Sequence, residues 1–151
     1  MILRAVLLKF RNGTIAISGD IESMFHSFYL PVSHRNYVRF FWYESNDGEK
    51  PLCQMRARIH VFGNKPSSSC AIHGLRCIMD YEVEEDYFED SKNFIKTQCY
   101  VDDAMAAHDD VNHVIGVMEG AKRKLSMFNF RLHKTASKNS QVRNAFPLIV
   151  S

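Results

Sequence analysis

The chain has 151 residues, enough for one domain with a real core. Hydrophobic residues make up 46% and charged residues 24%, which excludes a disordered or fibrous chain. The net charge of +2 does not by itself demand a nucleic-acid partner, and it is unevenly spread. Acid gathers at Glu82, Glu84, Glu85, Asp86, Glu89 and Asp90, a pattern usual for a solvated loop or helix surface, and base gathers from Lys122 to Arg143. Cys53, Cys70, Cys77 and Cys99 form no CxxC pair and read as reduced, mostly buried thiols, and the seven histidines show no zinc spacing. The apolar stretch Ala5 to Leu8 is too short for a signal peptide, and no run approaches the ~20 residues needed to span a bilayer. The expected chain is soluble and intracellular, with no membrane partner.

In chain order, Ile15 to Ser18 reads as a strand ended by Gly19-Asp20. Residues 22–29 place Met24, Phe25 and Phe28 at helical spacing, stopped by Pro31. Val38 to Tyr43 reads as a strand, followed by the turn Asn46-Asp47-Gly48. A second strand is predicted where Ala57, Ile59 and Val61 alternate with Arg56, Arg58 and His60, giving one buried and one basic face. Gly63 to Pro66 breaks it, and Ser67 is placed to cap a helix running to about Tyr81.

Phe94 to Val101 reads as a strand and Ala104 to Ala107 as its hairpin partner, with Asp102-Asp103 as the turn. Asp109 or Asp110 can cap a helix carrying Val111, Val114, Ile115, Met118, Ala121 and Leu125 on one face. A last strand or loop, Phe130 to Lys134, precedes a polar tail. The mixture predicts an α+β domain over residues 1–151, an antiparallel sheet with helices packed on one face.

The chemistry concentrates in carboxylates. Tyr100-Val101-Asp102-Asp103 puts two acids together on a hairpin, and a plain Asp-rich turn is the simplest account of it. Asp20 at a strand end can bring a third acid to the same sheet edge. Hard divalent cations take oxygen ligands, and a pair of them can clamp both oxygens of a phosphoryl displacement.

These segments, taken in order, resemble the reverse transcriptase of Bel/Pao-type long-terminal-repeat retrotransposons. Gly19-Asp20-Ile21-Glu22-Ser23-Met24-Phe25 resembles the first polymerase motif, and residues 34–43 resemble the stretch that follows it. His60-Val61-Phe62-Gly63-Asn64-Lys65-Pro66-Ser67 is similar to the second motif, and Tyr100-Val101-Asp102-Asp103 to the third. Arg131-Leu132-His133-Lys134-Thr135-Ala136-Ser137 resembles the fourth, with Ala145-Phe146-Pro147 as its sequel. The likeness runs from about residue 13 to 147. Ser68 and Ala104 depart from the family's usual Pro and Gly or Leu.

The resemblance implies a polymerase palm with partial fingers, acting as an RNA-directed DNA polymerase that extends a primer 3′-hydroxyl with two Mg²⁺ or Mn²⁺ ions. Asp20, Asp102 and Asp103 are the implied metal ligands, with the carbonyl of Ile21 adding an oxygen. Phe25 falls at the steric gate that excludes a ribose 2′-hydroxyl. Phe62 and Gly63 line the incoming nucleotide, and Lys134 is an implied general acid for pyrophosphate. Arg56, Arg58, Lys122, Arg123 and Lys124 are candidate contacts to a primer–template duplex, joined by Arg131 and Lys138 near Phe128 and Phe130. Implied partners are an RNA or DNA template with primer, deoxynucleoside triphosphates, and fingers, thumb or ribonuclease H regions of a longer polyprotein. The implied setting is a cytoplasmic particle or the nucleus. The alternative expectation is a truncated, inactive retroelement-derived domain that binds nucleic acid or protein.

Overall fold

The computed structural model describes residues 3–81 and 88–147; most of the acidic segment, residues 82–87, lies outside them. The chain builds a four-stranded antiparallel sheet in the order β4-β5-β1-β6, from β1 (Ile15–Ile21), β4 (Cys99–Tyr100), β5 (Asp103–His108) and β6 (Leu132–Ser137). A separate ribbon pairs β2 (Arg39–Tyr43) with β3 (Leu52–Arg56). The helices are α1 (Leu3–Phe10), α2 (Ser67–Asp80), α3 (Phe88–Gln98), α4 (Val111–Ser126) and α5 (Ser140–Ala145). The predicted α+β architecture is the observed one.

Period-two alternation decides which face of the sheet is covered. Ile17 and Ile21 of β1, Ala104 and Ala106 of β5, and Leu132 of β6 point into the core. They meet Val114, Met118, Ala121 and Leu125 of α4, Phe94 and Ile95 of α3, and Ala71, Leu75 and Met79 of α2. A Cβ at Gly19 would lie 3.3 Å from Leu132 and Met118, so α4 packs close to β1 there. The intervening residues of β1, Ala16, Ser18 and Asp20, are only half-buried on the opposite face. Asp110 caps α4 by accepting from the Asn112 amide, and Asn139 caps α5 by accepting from Gln141 and Val142.

Several expected elements are corrected. Residues 22–29 form only a 3-10 turn, Met24–Ser27, because Ser23 takes a left-handed φ of 51° and Phe28 is already extended. The basic-faced strand at 57–61 is absent. Its place is taken by β3 upstream and a single bridge of Ile59 to Tyr29, with the Leu30 amide on the Arg58 carbonyl. Ser67 does not cap α2. It lies inside the helix, buried, and its hydroxyl donates to the Val61 carbonyl at 2.7 Å.

The strand predicted at 94–101 is mostly α3, because Ser91, Phe94 and Ile95 bury one helical stripe. The Ser91 hydroxyl ties that stripe to the Val117 carbonyl of α4. The hairpin turn is Val101-Asp102, one residue earlier than expected, since Tyr100 pairs with Asp103. α1 and α5 were not expected as elements at all.

Candidate active site

Three strands bring the acids together on the open face of the sheet. β1 runs antiparallel to β5 with Asp20 opposite Asp103, and antiparallel to β6 with Asp20 opposite His133. Directly opposed residues project to the same side, with Cβ atoms roughly 4.5–5.5 Å apart. Asp103, Asp20 and His133 therefore form one row across the sheet. Asp102 stands at the turn beside that row, and its carbonyl accepts from the Ile21 amide at 2.8 Å. Val101 holds the turn with φ of 55°, an uncommon conformation for a β-branched residue.

The carboxylates act on one another. Burial raises the Asp103 carboxyl above its ordinary range, and the charges of Asp102 and Asp20 raise it further. Asp20 is engaged on its other side, where His133 Nε2 lies 2.8 Å from its Oδ2. His133 Nδ1 lies 3.2 Å from Glu22 Oε2, and Arg131 reaches the same oxygen at 3.1 Å. The hydrogen bond from His133, with help from Arg131, lowers the Glu22 carboxyl. Sequence reasoning missed His133 and Glu22, yet a signal was present. Asp20-x-Glu22 and Arg131-x-His133 each carry a polar pair at the spacing of one strand face.

The donor set fits a hard cation by chemistry, since Asp20, Asp102 and Asp103 offer only oxygen. Among the described residues, no three His, Cys, Asp or Glu side chains stand as a ready metal cage. The fit therefore lies in the donor type and in the Asp103 carboxyl, which burial and then the charges of Asp102 and Asp20 raise and whose charge a cation would offset.

The aromatic and glycine residues assigned to nucleotide binding come together. Phe25 and Phe62 meet edge to face at 6.2 Å between ring centroids, and His26 lies 5.9 Å from Phe62. Phe25 also packs partly on the core, whereas Phe62 is 69% exposed. Gly63 has φ of 93° and open space where a Cβ would stand, so its backbone is approachable.

Lys134 is exposed on β6 with φ of 47°. It lies in a bulge where Lys134 and Thr135 together face Gly19, between the pairs Asp20–His133 and Ser18–Ala136. Lys134 lines a cleft of about 430 Å³ with Lys122, Arg131, Glu22 and His133.

The basic set divides. Lys122 and Arg123 are exposed on α4. Lys124 leaves the group, because it is 3% exposed and its ammonium donates to the Tyr81 carbonyl at 2.6 Å. Burial and the nearby Lys92 lower its pKa. That contact anchors the end of α2 rather than offering charge to a phosphate. Arg56 and Arg58 are exposed but do not share a strand. Among the described residues no helix is long and apolar enough to cross a membrane.

Compared with the known protein families and with curated proteins, the chain matches none of them significantly.

Proposed function

We propose that this chain is a polymerase palm of the Bel/Pao reverse-transcriptase type, which extends a primer on an RNA template. The observation that carries the reading is the pairing of Asp20 with Asp103, with Asp102 at the adjoining turn, on the face of the sheet opposite the main core. Two Mg²⁺ or Mn²⁺ ions, when bound, activate a 3′-hydroxyl and neutralise triphosphate charge. The chain's own residues do the rest. Asp20, Asp102 and Asp103 hold the ions with oxygen ligands. The Phe25 ring, braced by Phe62, walls off the sugar. The Gly63 backbone admits the base. Lys134, Lys122 and Arg131 supply positive charge at the adjoining cleft, and Lys134 hands a proton to the departing pyrophosphate.

The contact of His133 with Asp20 favours a second reading, an acid-bearing domain that binds nucleic acid without turnover. Primer extension on an RNA template with Mg²⁺ or Mn²⁺ separates the two. The palm reading expects extension that falls by at least about 100-fold in Asp102→Asn, the upper end of what even outer-shell metal partners cost. Equal extension by both proteins, or none by either, contradicts it.

A further inference from the structure

Helix α2 carries a pair of soft ligands, apart from the acids. We propose that His73 and Cys77 are half of a zinc site, closed by the same two residues of a second copy of the chain.

Cys70 and Cys77, expected to be mostly buried, are exposed, and so is His73. Their spacing in the sequence is no ordinary zinc motif, but a helix gives it meaning. Ala71, Leu75 and Met79 turn one side of α2 to the core. Residues at i, i+3 and i+7 share a side, so Cys70, His73 and Cys77 line the other.

Cys77 Sγ lies 3.6 Å from His73 Nε2. Sulfur at ~2.3 Å and nitrogen at ~2.0–2.1 Å from one tetrahedral zinc stand about 3.6 Å apart. An S–H donated to the imidazole gives the same separation, and exchanging that proton for a metal leaves both atoms in place. The helix end favours the metal. Cys77 stands in the last turn of α2, which has no basic residue of its own, and the C-terminal end of a helix carries partial negative charge. That charge opposes a bare thiolate, as a free nucleophile would need, and attracts a cation.

Among the described residues nothing in the chain completes the set. Cys70 lies two turns from Cys77, about 10.5 Å along the axis. A disulfide needs Cα atoms within ~7 Å, and sulfurs ~2.3 Å from a shared ion do not bridge that gap either. Asp80, next along the same side, is paired with Lys96. No third His, Cys, Asp or Glu among the described residues joins the pair.

Structural zinc takes four protein ligands, and two is half of that set. A two-fold axis through the ion turns one nitrogen–sulfur edge into the opposite edge of the tetrahedron. Two copies then supply two imidazoles and two thiolates, and the thiolates cancel the charge of Zn²⁺. Binding releases the two thiol protons to solvent. Thiolate and imidazole select zinc, whereas carboxylates suit Mg²⁺, so the site does not compete with the acids for magnesium.

The test is sedimentation of the full chain with zinc, in a phosphine reductant and excess Mg²⁺. The expected result is a dimer with one zinc per two chains, which EDTA returns to monomer. Co²⁺ in place of zinc is expected to give thiolate-to-cobalt absorption that grows in step with the dimer. Cys77→Ser and His73→Ala change exposed positions. Each is expected to abolish the dimer and to weaken cobalt binding at least about tenfold, no less than the loss of an outer-shell partner costs. Cys70→Ser is expected to change neither readout. A cobalt spectrum without a thiolate band, one metal per monomer, or a dimer that survives Cys77→Ser overturns the proposal. No readout here involves a primer or a nucleotide, so the zinc site stands or falls apart from primer extension.

Discussion

The four-stranded sheet and the two-stranded ribbon are made of similar strands with opposite fates. β1 buries Ile17, Gly19 and Ile21 under α4 and turns Asp20 outward. β2 is built from Arg39, Phe40, Phe41, Trp42 and Tyr43, and every one of them is exposed. A strand forms in both places, but only a covering helix turns its alternation into a core. The cover each region has decides where its chemistry stands. In the sheet, helices on one side force the acids onto the other. In the ribbon, one face is half-covered at Cys53 and Met55, and on the other arginines and rings stand in water together.

The largest expected effect tests that contrast. Phe94 is fully buried between the sheet and α4, and Phe94→Ala is expected to cost about 3–5 kcal/mol in urea unfolding. Phe41→Ala removes the same ring from the ribbon and is expected to change stability by no more than about 0.5 kcal/mol. A large loss from Phe41→Ala would mean the ribbon is packed in solution.

A smaller effect is expected at Gly13, just before β1. A Cβ there would come within 2.5 Å of the His108 backbone nitrogen, and backbone cannot swing aside. Gly13→Ala is expected to destabilise by about 1–3 kcal/mol, measured in the same way.

The smallest effect has the opposite sign. The carboxyl of Asp103 is raised, so the folded chain holds that proton to higher pH than the unfolded chain does. The stability this proton contributes is present at low pH and is lost as pH rises through the raised value. Asp103→Asn cannot suffer that loss. Near pH 3 the two proteins are expected to be equally stable. By pH 7 the variant should lead by about 0.2–1 kcal/mol, with solvent screening favouring the lower end. A variant that is less stable at pH 7 would mean that burial and the neighbouring acids do not penalise the Asp103 charge.

How much was legible follows from the same contrast. The α4 stripe from Val111 to Leu125 and the strands on either side of the acids, at 15–18 and 104–107, were readable, because apolar periodicity and turn residues agreed, whereas their pairing with each other joins distant segments that no local pattern links. The hairpin's register was missed by one residue, since nothing in Tyr100-Val101-Asp102-Asp103 announces that Val101 takes a left-handed turn position. α3 was misread because Phe94 and Ile95 are adjacent apolar residues that suit either element, and packing on α4 decided for helix. Lys124 looked like its basic neighbours, but the fold brings it to the Tyr81 carbonyl and the Phe128 ring, which no local pattern announces. Arg56 was noticed, but its partner Arg39 belongs to another strand, and no local pattern joins them.

The proposed function requires Asp20, Asp102 and Asp103 together to hold divalent metal on the open face of the sheet. Iron(II) in place of magnesium tests it most directly, because bound iron with ascorbate and peroxide cuts the backbone next to its ligands. The expected result is cleavage near residues 20 and 102 at once, suppressed by excess Mg²⁺ and lost in Asp20→Asn. Cleavage at neither segment, or cleavage that survives Asp20→Asn, would contradict the claim.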